Sequence, residues 1–517
     1  MTAPPTSPAG RPRDLVVVSD LHLGRGRSPA SKRWYRLETF FYDDDFRAFC
    51  RWLCRERAGR DAPPLALVLN GDTFDLLRIE PEPAPGARGP ERRFGPPPSP
   101  EGAARMVADV LAGHPAFVEG LAEVLASGHE VIFLPGNHDL ELQHDEVQAP
   151  VRAAVAAALE ARAAPAALGQ LSFAPWFLHE PGRIWIEHGC QYDPENAFRF
   201  PLRRALDREA AEAVARRDLP LGNFFQKYLY NAFGHITFIV PSSRANYRYL
   251  RWLLANRPRL LARVLWSHAP FLVQFLRRLA RAADPSWQRP AEAAHAAEVA
   301  RLAEASGLGA RLVEVDALKR AGADAARAAA GILRQLLKLT VGGALATVLG
   351  LAVFASASAA IGALQFGAGW KALLSVVLYL TFGAAGAAGL VAAALRMPSD
   401  EPPRPLLEAA GRIAGLVDVP LVVFGHTHDE VVTPLERAGG PAWYFNTGTW
   451  IAVFTHDVLV PRSRVQLTFL QVRGAEAELL QWSPQRDRPL PVILLEDDHW
   501  PGPGPAGADA PAGVRPG

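Results

Sequence analysis

Residues 67–75 read LVLNGDTFD, and this stretch decides the fold that the sequence predicts. The apolar run from Leu65 to Leu69 is short and is followed at once by an Asn-Gly pair, a pattern typical of a buried strand that ends in a tight turn. In an open α/β sheet, ligands collect at the carboxyl ends of the strands. We therefore expect Asp72, which follows the turn, to point into a cleft.

Four other strand-like runs end in polar side chains of the same kind. The five runs together supply carboxylate, imidazole and amide groups, which suit divalent ions such as Mn²⁺, Zn²⁺ or Fe²⁺. Five of the 14 histidines fall at these strand ends, a concentration that chance does not readily explain, and we interpret the others as structural or surface residues. The candidate ligands are Asp20, His22, Asp72, Asp75, Asn137, His138, His188, His426 and His428.

In chain order, the motifs DLH, GDTFD, GNHD, HG and GHTH resemble the five signature motifs of the calcineurin-like metallophosphoesterase superfamily. The resemblance covers about residues 14–188 and 421–450. It implies an α/β fold in which two sheets pack face to face with helices outside, a four-layer α/β/β/α sandwich that periodicity alone does not select. Within this fold, apolar periodicity predicts helices over about 44–57 and 101–127.

The resemblance also implies two divalent metal ions, with Mn²⁺ the expected metal and Zn²⁺ or Fe²⁺ as alternatives. Two such cations clamp a phosphoryl group, activate water and neutralise the charge that develops during in-line attack. His138 is then the imidazole that stabilises charge or protonates the leaving group, and Asp139 orients it. The implied ligands are Asp20, His22, Asp72 and His428 for one ion, and Asp72, Asn137, His188 and His426 for the other.

The stretches GDTFD, HGCQYDPEN and NTGTW look most like those of bacterial UDP-2,3-diacylglucosamine pyrophosphatases, which cleave a lipid-linked nucleotide at the membrane surface. The chain departs from that pattern at His138, where those enzymes typically carry Arg, and in a long insertion. We therefore predict hydrolysis of a phosphodiester or diphosphate bond in a lipid or lipid-linked nucleotide. The alternatives are a phosphodiesterase acting on a soluble substrate such as a cyclic nucleotide, and a catalytically silent membrane scaffold.

Composition narrows the class of protein further. A formal net charge of +2 gives no global reason to expect a nucleic-acid partner. Three cysteines are too few for a disulfide framework, which fits a reducing cytoplasm, and the first residues contain no apolar run typical of a secretory signal. Cys50 and Cys54 lie at helical spacing among apolar residues and are expected in the core. Cys190, two residues after His188, is interpreted as a buried thiol rather than a ligand.

More than two hundred residues separate His188 from His426, far more than a connecting loop requires. Within them, residues 339–370 and 372–395 carry no charge, and each run exceeds the roughly 20 residues needed to cross a bilayer. A transmembrane hairpin over 339–396 also keeps both histidines on one side. Basic residues flank the hairpin, which predicts an inner-membrane protein whose catalytic domain faces the cytoplasm. The alternative is an Ala- and Gly-rich helical pair that is buried in a soluble domain or lies in the membrane interface.

The segment from Arg199 to Arg281 mixes arginines with aromatic residues and leucine. This mixture predicts helices that lie on anionic lipid, so the bilayer is an expected partner. A solvated helical face and, less strongly, a surface for single-stranded nucleic acid are the alternatives. Arg199, Arg203 and Arg204 are candidates to contact a second phosphate of the substrate.

The predicted divisions are 1–195 and 397–500 for the two parts of the metallophosphoesterase domain, 196–338 for a basic helical insertion, 339–396 for the hairpin and 501–517 for a disordered tail.

Overall fold

The computed structural model describes residues 13–28, 30–58, 63–80, 99–204, 218–233, 286–320, 348, 350–395, 404–455 and 465–492, with short pieces at 206, 209–210, 214, 238–239, 256–260, 263, 458–459 and 513–514. Most of the arginine-rich segment 199–281, the beginning of the predicted hairpin at 339–347 and nearly all of the predicted disordered tail lie outside the described residues. The chain divides into two compact units, one formed by Met1–Gly322 with Glu401–Gly517 and the other by Ala323–Asp400.

Strands and α-helices alternate through the first part of the larger unit, and strands dominate its last part. The strands are β1 (Asp14–Val18), β2 (Leu65–Asn70), β3 (Glu130–Leu134), β4 (Leu171–Phe173), β5 (Phe177–Glu180), β6 (Ile184–Glu187), β7 (Phe238–Ile239), β8 (Leu421–Phe424), β9 (Glu430–Leu435), β10 (Ala442–Thr447), β11 (Val453–Thr455), β12 (Val458–Leu459), β13 (Leu467–Arg473), β14 (Glu476–Ser483), β15 (Arg488–Pro491) and β16 (Gly513–Val514). The helices, numbered through both units, are α1 (Asp43–Arg57), α2 (Pro100–Gly113), α3 (Pro115–Ala126), α4 (Asp145–Glu160), α5 (Leu221–Tyr228), α6 (Gln288–Ala305), α7 (Ala310–Asp316), α8 (Ala368–Leu395) and α9 (Arg404–Val417).

The described strands form two large sheets and one small one. The larger sheet has the order β15-β14-β13-β1-β2-β3-β4, with β16 paired to β14, and its strands β1 to β4 run parallel. The second sheet has the order β5-β6-β8-β10-β9, with β6, β8 and β10 parallel. Parallel pairing gathers the carboxyl ends of β1, β2 and β3 at one edge, and those of β6 and β8 at one edge of the other sheet.

Alternate side chains of the strands enter different apolar cores, because successive residues of a strand point to opposite faces. Leu15 and Ile186 belong to a core that is shared by the two sheets. Val16 belongs to a second core, which the larger sheet forms with α1, α2, α3 and α4. Trp185 belongs to a third core, which the second sheet forms with α6, α7 and α9. The layers therefore follow the order α/β/β/α, and the mixed α/β fold that the sequence predicted is confirmed.

One predicted helix is two helices in the structure. The periodicity predicted a helix over 101–127, but α2 ends at Gly113 and α3 begins at Pro115. Proline has no backbone N–H and its ring clashes with the preceding turn, so it starts a helix far better than it continues one. α2 has a helix cap of its own, since the Ser99 side chain accepts a hydrogen bond from the Gly102 backbone N–H at 3.1 Å.

The smaller unit contains helical residues 350–363 and α8, joined by a short turn. The rings of Phe354 and Tyr379 meet at 4.8 Å between centroids, which ties the two helices together. Nowhere in the described part of the chain does a helix combine the length and the apolar character needed to span a membrane. The predicted transmembrane hairpin at 339–396 is therefore wrong, and so is the inner-membrane location with a cytoplasm-facing catalytic domain. The prediction was based on the absence of charged residues from the two runs. The Ala and Gly that fill these runs contribute little hydrophobicity.

Candidate metal centre

The loops after β1, β2, β3, β6 and β8 converge on one buried site. The Asp20 backbone N–H donates to the Gly71 carbonyl at 3.1 Å, which joins the loops after β1 and β2. The His138 N–H donates to Asp72 Oδ1 at 2.8 Å, which joins the loops after β2 and β3. The His426 N–H donates to Asp20 Oδ2 at 3.0 Å, which joins the loop after β8 of the second sheet to the loop after β1 of the larger sheet. Four of these segments, which are distant in sequence, are thus held together by hydrogen bonds.

The backbone of these loops is strained. Left-handed φ angles are rare for residues with a Cβ and cost on the order of 1 kcal/mol each. Such strain persists only where the surrounding structure fixes it, and it is concentrated at functional sites. Five of the nine described non-glycine residues with positive φ are candidate ligands, with φ between 48° and 73°: Asp20, His22, Asp72, His426 and His428.

Two glycines are required by the close approach of the loops. A Cβ on Gly71, whose φ is +80°, would lie 2.4 Å from His188 Nδ1. A Cβ on Gly425 would lie 2.5 Å from Asp20 Oδ2. Both distances are far below van der Waals contact, so the glycines of GDTFD and GHTH make room for candidate ligands.

Asp20, His22 and His428 form one candidate ion-binding group, and all three are buried. His428 Nε2 lies 3.2 Å from Asp20 Oδ1 and 2.9 Å from His22 Nε2. His22 Nε2 lies 3.7 Å from the same Asp20 oxygen. One carboxylate oxygen and two imidazole nitrogens therefore face a common point.

Asp72 belongs to the two other candidate groups, one with Asp20 and His188 and one with His22 and His138. Its Oδ2 lies 3.4 Å from His188 Nε2, 3.7 Å from His22 Nε2 and 3.9 Å from His138 Nε2. Asp72 therefore joins these two groups to each other, as a bridging ligand would, while His22 and Asp20 are each shared with the first group.

The remaining two predicted ligands each have a polar partner that the sequence analysis did not single out. His426 Nε2 lies 2.8 Å from Asp193 Oδ2. Asn137 exchanges two hydrogen bonds with Asn223 of α5. Asp193 lies within the stretch HGCQYDPEN, but no spacing rule marks it, and Asn223 lies far from every motif.

The residues present fit a pair of divalent ions. Among the described residues, Asp20 Oδ1, Asn137 Oδ1 and His188 Nε2 are buried and have no hydrogen-bond partner. Burying such atoms without partners is costly, and a cation satisfies them. Mixed carboxylate, imidazole and amide donors suit Mn²⁺, Zn²⁺ or Fe²⁺.

The electrostatics of the site also favour cations. Burial alone lowers the pKa of His188, but the charges of Asp72 and Asp20 outweigh it and raise this pKa to about 10. Burial tends to raise the pKa of Asp72, but His188 and His138 outweigh it and hold this pKa well below its usual range. Desolvation lowers the pKa of His22 to about 4. The ionised carboxylates that favour a proton on His188 also favour a metal ion.

Asp75 rather than Asp139 contacts the His138 ring, with Asp75 Oδ1 2.8 Å from Nδ1. The Asp139 carboxylate instead accepts hydrogen bonds from the backbone N–H groups of Gly136, Thr73, Phe74 and Asp72 at 2.7, 2.8, 3.1 and 3.2 Å. The expectation that Asp139 orients His138 is therefore corrected, because its oxygens are used to hold the loops after β2 and β3.

The three arginines predicted to bind substrate have protein partners. Arg203 is buried with Nη1 3.8 Å from Asp218 Oδ2, and Arg204 pairs with Asp145. Arg199 lies over the Trp287 ring at 5.9 Å. The contacts described for these side chains do not include the candidate ligands, so their role toward substrate stays a prediction.

The cysteines lie where they were expected. Cys50 belongs to the core beneath the larger sheet, and Cys54 packs against that core. Cys190 is buried and belongs to none of the candidate ion-binding groups formed by the described residues. Burial raises the pKa of its thiol well above the ordinary value, which disfavours the thiolate that binds metals.

Comparison with known proteins agrees with this geometry. A family model described as calcineurin-like phosphoesterase matches residues 14–272, a span that includes the first four motifs. No curated protein matches the chain. With half of its length matched, its candidate ligands gathered and Asp72 at their centre, the chain belongs to the calcineurin-like phosphoesterases and is a metal-dependent phosphoester hydrolase.

Proposed function

We propose that the chain is a two-metal hydrolase of a phosphodiester or diphosphate bond, acting on a lipid or lipid-linked nucleotide such as UDP-2,3-diacylglucosamine. The observation that carries the two-metal part is the position of the Asp72 carboxylate, with Oδ2 within 4 Å of the Nε2 atoms of three histidines. Residues on either side of this carboxylate can then be divided into two ligand sets. One set is Asp20, His22, Asp72 and His428, and the other is Asp72, Asn137, His188 and His426.

When bound, two divalent ions supply Lewis acidity that activates water and neutralises phosphoryl charge. The protein holds the candidate ligands in a buried, preorganised site. His138 stabilises charge or transfers a proton to the leaving oxygen, with Asp75 fixing its ring through Nδ1. No side chain has to form a covalent intermediate in this scheme.

The preference for a lipid-linked nucleotide rests on the resemblance of HGCQYDPEN and NTGTW, and both stretches contact the site. Asp193 of the first stretch lies against His426. In the second, the Thr449 hydroxyl donates to the Asp20 carbonyl at 2.6 Å, and Asn446 Nδ2 donates to the Gly425 carbonyl at 2.6 Å. The residues that carry the resemblance are therefore residues that support candidate ligands.

A cyclic-nucleotide phosphodiesterase is the second candidate, and one observation favours it. His138 occupies the position at which the diacylglucosamine pyrophosphatases typically carry Arg, and its ring is buried against Asp75. An imidazole in that place is suited to protonating an alkoxide leaving group, whereas an arginine is suited to holding a second phosphate.

Two assays test the proposal. The full chain is expected to hydrolyse bis(p-nitrophenyl) phosphate with added Mn²⁺, and Asp72→Ala is expected to abolish both turnover and metal binding. Turnover of UDP-2,3-diacylglucosamine in detergent is then compared with turnover of cyclic nucleotides. Faster turnover of the lipid-linked nucleotide supports the proposal, faster turnover of cyclic nucleotides supports the second candidate, and failure on all three substrates contradicts both and supports a silent scaffold.

A further inference from the structure

The α5 segment, residues 221–233, is bonded to the loops that carry the candidate ligands. The Gly222 backbone N–H donates to the Glu195 carbonyl at 2.8 Å, just beyond the HG motif. Asn231 Nδ2 donates to the Leu77 carbonyl at 2.9 Å, just beyond GDTFD. These bonds bring a segment without any recognised motif to the edge of the metal centre.

Within this segment, Asn223 makes a two-point contact with Asn137. Asn223 Nδ2 donates to the Asn137 backbone carbonyl at 2.7 Å, and Asn137 Nδ2 donates to Asn223 Oδ1 at 2.9 Å. The exposed fractions of Asn137 and Asn223 are only 3% and 1%, so solvent competes little for these bonds. Buried hydrogen bonds of this kind are costly to break without replacement.

The first of these bonds determines the second. A carbonyl oxygen only accepts hydrogen bonds, so the Asn137 carbonyl requires the NH₂ end of the Asn223 amide. The oxygen end of Asn223 is then left to face the Asn137 side chain, which must present its own NH₂. This leaves Asn137 Oδ1, which has no hydrogen-bond partner among the described residues, as the atom offered to the centre.

We infer that Asn223 is a positioning residue for metal binding, which fixes the Asn137 amide with its oxygen toward the ion. The inference rests on the two-metal function proposed above. An amide in the opposite orientation would present NH₂, which does not bind a cation. Groups that orient metal ligands typically change metal affinity by 10- to 100-fold when they are removed.

The test is a calorimetric titration of Mn²⁺ into the chelator-treated full chain. Asn223→Ala and Asn223→Leu are each expected to weaken one of two Mn²⁺ sites by roughly 10- to 100-fold. Asn223→Leu keeps the side-chain volume and so reports the lost bonds without a large cavity. Asn231→Ala is the matched control, because it removes a buried asparagine of the same segment that contacts no predicted ligand.

Wild-type affinity in both Asn223 variants would overturn the inference. Equal weakening by Asn231→Ala would do the same, because it would show that only the packing of the segment matters. A second set of variants, made in the Asn137→Asp protein, separates orientation from packing. An aspartate carboxylate has two equivalent oxygens, so metal binding at residue 137 does not depend on which oxygen faces the ion. Asn223→Leu is expected to have little effect on Mn²⁺ affinity in that background, and an undiminished effect there would contradict the orienting role.

These titrations measure metal binding and not turnover, so the two proposals fail separately. A wild-type chain that binds two Mn²⁺ ions but hydrolyses no phosphoester contradicts the proposed function, while the affinities of the Asn223 variants still decide the inference. A wild-type chain that hydrolyses its substrate while the Asn223 variants bind Mn²⁺ normally contradicts the inference alone.

Discussion

Asp75 and Asp139 are both buried close to His138, but their carboxylates have different partners. Asp75 Oδ1 contacts His138 Nδ1, and the other oxygen lies 3.8 Å from His22 Nδ1. Asp139 contacts backbone N–H groups. A carboxylate that fixes an imidazole affects proton transfer, whereas one that holds loops affects stability. The two substitutions should therefore have separable consequences.

Asp75→Ala is expected to lower kcat by roughly 100-fold, the scale of general acid catalysis, because His138 loses the group that fixes its ring. The chain should still bind two Mn²⁺ ions, since Asp75 belongs to neither of the two proposed ligand sets. Steady-state kinetics on bis(p-nitrophenyl) phosphate and metal content per chain check this. Asp109→Asn is a suitable control, because this exposed carboxylate pairs with Arg25 on the surface. Unchanged kcat in Asp75→Ala would contradict a role of Asp75 in fixing His138 for catalysis.

Asp139 acts on two elements, because it joins the loop after β2 to the loop after β3. Asp139→Ala leaves four buried backbone N–H groups without their acceptor and is expected to lower the free energy of unfolding by about 3 kcal/mol. Asp139→Asn keeps one acceptor oxygen and should lose less. Urea denaturation of the chelator-treated chain measures both. Equal stability of wild type and Asp139→Ala would show that water replaces the carboxylate.

His114 lies at the break between α2 and α3 and joins them to α1. Its Nδ1 lies 2.8 Å from Asp43 Oδ1 and its Nε2 lies 3.3 Å from Glu38 Oε2. Burial lowers its pKa, but the hydrogen bonds and charges of Asp43 and Glu38 outweigh burial and raise it to about 9. The folded state therefore holds the proton more tightly than the unfolded state, whose histidine pKa is about 6.5.

The stabilisation from the His114 proton should be complete below about pH 6.5 and should be lost as the pH rises through about 9. Its size is on the order of 3 kcal/mol. The measurement is the free energy of unfolding of wild type and of His114→Gln between pH 6 and pH 10. Glutamine does not titrate, so the difference between the two curves removes the contribution of the other titrating groups. The two curves should converge as the pH rises. Parallel curves would contradict a pKa raised by Asp43 and Glu38.

The strands that carry candidate ligands could be predicted because each is a short apolar run that stops at polar residues. β2, whose apolar run was predicted over 65–69, spans Leu65–Asn70, and β8 spans Leu421–Phe424, directly before GHTH. The break between α2 and α3 could have been predicted from Pro115, because proline starts a helix better than it continues one. It was not predicted, because the helical periodicity of apolar residues continues across it. Asn223 and Asp193 were not predictable, because their roles arise from contacts between segments that no local pattern relates.

The whole molecule divides into a unit that holds every candidate ligand and a helical unit, Ala323–Asp400, that holds none. The long separation between His188 and His426 is therefore an insertion into a continuous fold, since β6 and β8 pair directly in one sheet. The sequence predicted an insertion from chain length, and the membrane-spanning hairpin predicted within it is wrong, because absence of charge does not by itself supply enough hydrophobicity.

The proposed mechanism requires a pair of ions that share the Asp72 carboxylate. Anomalous diffraction from crystals of the full chain grown with Mn²⁺ tests this most directly. Two manganese peaks are expected, each with an Asp72 oxygen at roughly 2.0–2.3 Å, with the Asp20 and His428 side chains on one ion and the Asn137 and His188 side chains on the other. A single peak, or peaks that Asp72 does not touch, would contradict the account.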